Sequence, residues 1–149
     1  NIAIEYNGLY WHSDKFKEDL YHLNKTESCD KKDITLIHIF EDEWRDKKDI
    51  VKSMISSKLN IIKKKIHARK CDIKYVDNNE SKDFLNDNHL QGTTISSIRI
   101  GLYYNNELVS LICFMKKKDG YYDLNRFVNK TNMIPSFFSM SFNITTFFI

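Results

Sequence analysis

The stretch Ile2-Ala3-Ile4-Glu5-Tyr6-Asn7-Gly8 decides how the chain is built, and it leads directly into Leu9-Tyr10-Trp11-His12. Ile2, Ile4 and Tyr6 alternate with Ala3 and Glu5 at the period of 2 that marks a strand, and Gly8 supplies the bend that ends it. Further along, Ser13 or Asp14 caps a helix whose apolar positions Phe16, Leu20 and Leu23 recur 4 and 3 residues apart, ending near Lys31-Lys32. Ile34-Thr35-Leu36-Ile37-His38-Ile39-Phe40 is a β-branched, nearly continuous apolar run, as expected of a strand covered on both faces. Strand, helix and strand in this order predict a βαβ crossover, with the second strand beside the first.

Glu41-Asp42-Glu43 places acid in the first turn of a second helix, and Trp44, Val51, Ile55, Leu59 and Ile62 supply its apolar stripe. Lys63-Lys64-Lys65-Ile66-His67-Ala68-Arg69-Lys70 then puts five cations into eight residues. It reads as a basic linker over 61–70, or as a strip that contacts a phosphate backbone. The pattern changes beyond it: a strand over Cys71 to Val76, a helix around Ser81 to Asn88, strands at Ile98 to Tyr104 and Glu107 to Phe114, and another at Tyr121 to Phe127. Asn105-Asn106 joins the middle pair as a hairpin, because Asn accepts the positive φ of a two-residue primed turn. Thr131 to Ile149 carries no charge and five Phe. That composition suits an altered or truncated end better than a terminal element with a polar face.

The chain has 149 residues, of which 42% are apolar and 13% aromatic, enough for one ordinary domain or two small ones. The net charge of +3 is unevenly placed, with 10 basic and 12 acidic residues up to position 60 and 13 and 8 after it. Cys29, Cys71 and Cys113 form no CxxC pair, which excludes a readable disulfide framework or zinc ribbon and fits a reducing, intracellular setting. No stretch reads as a signal peptide or as a membrane span. The first residue is Asn, inside a strand pattern, so the chain is read as a fragment lacking an upstream strand.

Glu5 is a carboxylate on the strand face opposite Ile4 and Tyr6, where it is either solvated or a ligand for a hard divalent cation. His12, where the helix begins, either caps that helix or acts as a general base, since a neutral imidazole takes a proton from water near neutral pH. His22 and Lys25 lie three apart and share a helix face. His38, inside an apolar strand, reads as a hydrogen-bonded core histidine. His67 and His89 have no partner at ligand spacing.

The segments IEYNGLYWHS, YHLNKTESC and ITLIHIFEDEW resemble the nuclease core of phage and intron homing endonucleases related to the very-short-patch-repair endonucleases, within the PD-(D/E)XK superfamily. The resemblance covers about residues 1 to 60. It implies an α/β fold: a truncated restriction-endonuclease-like core, with a mixed sheet flanked by helices, entered at its third strand. In that family the Trp-His element supplies the general base, matching His12, and an acid of the related repair enzymes falls at or near His22. Glu5-x-Asn7 occupies the slot of the (D/E)xK pair, where Asn7 cannot supply the positive charge of the Lys. The family's principal metal-binding Asp precedes the position of Asn1 and has no counterpart.

The second half, over 71–130, is more weakly similar to a small α+β region of the GNAT type, through FLNDNHLQG, IGLYYNNELVSLICF and YYDLNRF, but lacks the clustered glycines of a phosphate cradle. The resemblance therefore implies a Mg²⁺-dependent DNA endonuclease acting on double-stranded DNA in the cytoplasm of a phage host, with no membrane partner. Glu5 would be the metal ligand, His12 the base, His22 and Lys25 the phosphate contacts, and Lys63, Lys64, Lys65, Arg69 and Lys70 the DNA-backbone contacts. A non-catalytic DNA-binding remnant and a GNAT-type acyltransferase are the competing readings. Because the chain opens without the family's metal-binding Asp, it is expected to be inactive as a nuclease by itself.

Overall fold

The computed structural model describes residues 1–8, 21–62 and 64–136. The fold is mixed α/β, and the chain divides within one helix into two compact units, Asn1–Ile55 and Ser56–Ile149. Among the described residues no helix is long and apolar enough to cross a membrane.

In the first unit, β1 (Ile2–Asn7) and β2 (Thr35–Phe40) are parallel neighbours joined through α1 (Tyr21–Asp30), the expected βαβ arrangement. Asp33, at φ 54°, makes the turn into β2 in the left-handed region that Asp tolerates better than most residues. The register sets Glu5 opposite His38 and Asn7 opposite Phe40. The face that α1 covers is the polar one. Asn7 is fully buried, whereas Ile2, Ile4 and Tyr6 are exposed, so the apolar side of the alternation is the outward side. The apolar stripe expected for helix one is corrected in the same sense: Leu23 is exposed, and α1 turns His22, Lys25 and Thr26 inward at the i, i+3, i+4 spacing of one helical face. Phe16 and Leu20 lie outside the described residues.

The single second helix read from the sequence is two: α2 (Glu41–Asp46) and α3 (Lys48–Lys58), interrupted at Lys47. Glu43 reaches back to accept a hydrogen bond from the Phe40 amide at 3.1 Å, which closes the start of α2. Ile50 and Val51 are the buried residues of α3, while Leu59 is exposed after its end.

In the second unit the basic strip is not a linker. Lys65–His67 forms β3, Ala68–Lys70 a 3₁₀ turn, and Ile66 and Ala68 are buried in the core, which leaves Lys64, Lys65, Arg69 and Lys70 exposed. Then come β4 (Asp72–Tyr75), α4 (Asn78–Asn88), β5 (Ile98–Tyr104), β6 (Glu107–Lys116), β7 (Tyr122–Asn129) and β8 (Ile134–Ser136). β4 to β7 form an antiparallel meander in that order. Asn105 and Asn106 both have positive φ, at 51° and 62°, as the hairpin requires. The segment after Thr131 is not set apart from the unit at its start. β8 pairs in parallel with β3, and the Thr131 amide and hydroxyl both donate to Asn88 Oδ1 at 2.7 Å; residues 137–149 lie outside the described residues.

Each face of the meander has its own core. Leu85 of α4, with Phe84 beside it, packs on Val76, Tyr103, Leu108, Leu111, Cys113 and Val128. The opposite face gathers Ile66, Ala68, Leu102 and Val109. Asp77 caps α4 by accepting the Asn79 and Glu80 amides, and Tyr103 donates to Glu80 at 2.6 Å, fastening the helix to the sheet.

Candidate metal centre

The parallel register of β1 and β2 sets Glu5 and His38 side by side, and α1 lays His22, Lys25 and Thr26 over them. Ligand atoms of Glu5, His22 and His38 all lie within 4.8 Å of one another, and all three residues are half-buried. The His22 ring stands edge-on to His38, with centroids 5.2 Å apart, and edge-on to Phe40 at 5.9 Å. These three residues are a candidate metal-binding triad.

Hydrogen bonding fixes the chemistry of His38. The Thr26 hydroxyl donates to the His22 carbonyl at 2.9 Å, so its contact with His38 Nε2, also 2.9 Å, must be one in which it accepts. Nε2 therefore carries a proton, and in the neutral ring Nδ1 carries the lone pair. Asn7 Nδ2 donates to that Nδ1 at 3.3 Å. Glu5 Oε2 lies 3.3 Å from the same nitrogen. His38 Nδ1 thus lies beside both the Asn7 amide and Glu5 Oε2, and a proton or a metal ion on Nδ1 would bridge it to the carboxylate. Asn7 Oδ1, fully buried, has no hydrogen-bond partner among the described residues.

Lys25 Nζ contacts Glu5 Oε1 at 2.5 Å. Burial opposes the charged carboxylate of Glu5, but the hydrogen bond and positive charge of the Lys25 ammonium outweigh burial and hold the carboxyl below its ordinary range. Reciprocally, the hydrogen bond to Glu5 raises Lys25. The helix thus delivers a positive charge to Glu5.

The donor set is one carboxylate oxygen and two imidazole nitrogens. Metal–ligand distances of about 2.0–2.1 Å place tetrahedral donors roughly 3.3 Å apart. The Glu5–His38 separation of 3.3 Å already meets that spacing, and the remaining separations, within 4.8 Å, need a modest inward shift. Imidazole-rich sets of this kind suit Zn²⁺ or Fe²⁺ best, with Mn²⁺ weaker, whereas Mg²⁺ prefers an all-oxygen octahedron. The fit to Mg²⁺ is poor.

The structure brings together Glu5, His22 and Lys25 of the residues singled out in the sequence. His12 and Lys63 lie outside the described residues. His38 joins the cluster although its apolar strand pointed to the core, and Thr26 and Asn7 acquire the roles of orienting it. The signal that could have found His38 was positional: Glu5 and His38 are each the fourth residue of their strands, so a parallel pairing in step aligns them. No family model matches the chain, and no curated protein or solved structure matches it.

Proposed function

We propose that the first unit carries the reaction centre of a metal-dependent DNA endonuclease of the homing type, which hydrolyses phosphodiester bonds. The observation that supports this reading most is the convergence of Glu5, His22 and His38 within ligand distance, beside a lysine that already holds a carboxylate oxygen. The sequence resemblance implies Mg²⁺, but the donor set favours a borderline ion such as Zn²⁺ or Fe²⁺. A divalent ion bound there supplies Lewis acidity and a more acidic water.

The protein groups divide the remaining work. Thr26 and Asn7 hold the His38 ring in the orientation that aims Nδ1 at Glu5. Lys25 is placed to exchange its contact with Glu5 for a non-bridging oxygen of the substrate phosphate, whose charge grows in the transition state. The resemblance assigns the general base to His12. Exposed Lys64, Lys65, Arg69 and Lys70 of the second unit, with Lys63 before them, supply sequence-independent contacts to the DNA backbone.

The test is conversion of supercoiled plasmid to nicked or linear forms by the full encoded protein in Mn²⁺, Zn²⁺ or Mg²⁺, alongside Glu5→Gln and His38→Ala. Metal-dependent cleavage that both substitutions abolish supports the proposal. DNA binding without cleavage under every metal supports instead a non-catalytic remnant and contradicts it.

A further inference from the structure

Asn7 closes β1 two residues after Glu5, so both side chains leave the strand on the same face. It is fully buried, and its Oδ1 is buried without a hydrogen-bond partner. A buried polar atom left unpaired costs about 1–3 kcal/mol, and an apolar residue at this position would avoid that cost. Orphaned oxygens of this kind mark places where a bound group offsets the loss.

The orphan has a counterpart beside it. Glu5 Oε2 is likewise buried without a hydrogen bond, and it lies 3.3 Å from His38 Nδ1. Asn7 Nδ2 lies 3.3 Å from that same nitrogen. The two ends of a carboxamide are nearly equal in size, so a half-turn about χ2 exchanges them without needing room. Oδ1 then stands where Nδ2 now is, 3.3 Å from Nδ1, the spacing of donors held about 2.0–2.1 Å from one shared ion. Without an ion, the amide N–H donates to the Nδ1 lone pair. An ion on Nδ1 takes that lone pair, leaves the N–H with no acceptor, and attracts the carbonyl dipole in its place.

We infer that Asn7 is a fourth metal ligand, its carboxamide rotating when the ion binds so that Oδ1 joins Glu5, His22 and His38. This rests on the metal centre described above and alters its donor set, to two oxygens and two nitrogens. An amide carbonyl is a hard, neutral donor. It adds no negative charge to repel a substrate phosphate, and it brings harder ions such as Mn²⁺ within the range of the site. Position 7 thereby helps to set which ion is held.

Calorimetric titration of the 149-residue chain with Zn²⁺ and Mn²⁺, beside Asn7→Leu and Asn7→Asp, tests this. Asn7→Leu is expected to weaken both ions by roughly tenfold or more. Asn7→Asp, which sets an anionic oxygen in the same place, should tighten both, and Mn²⁺ the more. Titration with Co²⁺ adds a readout that a merely orienting residue would not move. Exchange of the amide oxygen for water in Asn7→Leu should change the visible absorption of bound Co²⁺, whereas Thr26→Val, which acts on the far side of His38, should lower affinity and leave the band as it is. Should Asn7→Leu fail to fold, the parent chain gives the answer: Zn²⁺ should shift the Asn7 side-chain carbonyl resonance more than that of any other Asn or Gln. An Asn7→Leu variant with parental affinity and Co²⁺ spectrum, or an Asn7 carbonyl resonance that Zn²⁺ leaves in place, would overturn the assignment while Glu5, His22 and His38 stand. A chain that binds none of these ions contradicts the metal centre itself, and Asn7 as its ligand with it.

Discussion

Glu5 Oε2 and His38 Nδ1 lie 3.3 Å apart across a parallel strand pair, and the Thr26 hydroxyl holds the far side of the imidazole at 2.9 Å. A carboxylate oxygen and a ring nitrogen so placed repel unless a proton or a metal ion stands between them. The arrangement suits either a proton or a metal ion between the two atoms, and its parts make distinct, separable contributions.

Thr26→Val keeps the shape of the side chain but removes the hydroxyl that orients His38. Metal affinity is expected to fall about 10- to 100-fold, the usual effect of losing a group that orients a ligand. Far-ultraviolet circular dichroism should be unchanged. Calorimetric titration with Mn²⁺ or Zn²⁺ checks it; parental affinity would show that His38 needs no such support.

Lys25→Gln separates metal binding from catalysis. The Lys25 ammonium competes with a metal ion for Glu5, so its removal should tighten metal binding roughly 3- to 10-fold, the scale of a unit charge a few ångströms away in partly hydrated surroundings. If the proposed endonuclease activity holds, cleavage should nevertheless fall, because Lys25 is the cation placed to meet the phosphate. Affinity and plasmid cleavage moving in the same direction would contradict this division.

Tyr103 provides a pH signature in the second unit. Burial first, then the hydrogen bond to Glu80 and the charges of Glu80 and Asp77, push its phenol far above the ordinary range. In the unfolded chain the same phenol ionises near 10. A group whose folded pKa is raised contributes its stability fully below the unfolded pKa, so this contribution is whole below about pH 10 and declines as pH rises above it. Ultraviolet titration should find one of the eight tyrosines refusing to ionise until the protein unfolds, and Tyr103→Phe should remove that laggard and cost about 1 kcal/mol.

Gly101 is confined by its neighbours. A Cβ added there would lie 2.5 Å from a Leu108 methyl and 2.6 Å from a Val76 methyl, both residues being buried. Gly101→Ala is expected to destabilise by about 1–3 kcal/mol through overpacking. Denaturant unfolding measures this, and metal affinity should not change.

The sequence made some of this plain because local chemistry and tertiary structure agree there. Alternation in Ile2 to Tyr6 and the apolar run from Ile34 predicted two strands, and the intervening helix made them parallel neighbours; Asn105-Asn106 predicted its hairpin. The orientation of the first strand was not legible. Alternation defines two faces without saying which one a helix covers, and α1 covers the polar one with a polar stripe of its own. His38 was obscured because its neighbours Ile37 and Ile39 made the strand look uniformly buried. The basic strip looked like a linker because Ile66 and Ala68, its only core residues, are outnumbered by the cations around them.

Whether Glu5, His22 and His38 form one divalent-metal site is read by titrating the 149-residue chain with Mn²⁺, Zn²⁺ and Mg²⁺ in a calorimeter, beside Glu5→Gln, His22→Ala and His38→Ala. One equivalent of Mn²⁺ or Zn²⁺ is expected to bind more tightly than Mg²⁺, and each substitution to weaken that binding at least tenfold while the circular dichroism spectrum is retained. Absence of binding, or binding that His38→Ala leaves untouched, would contradict it.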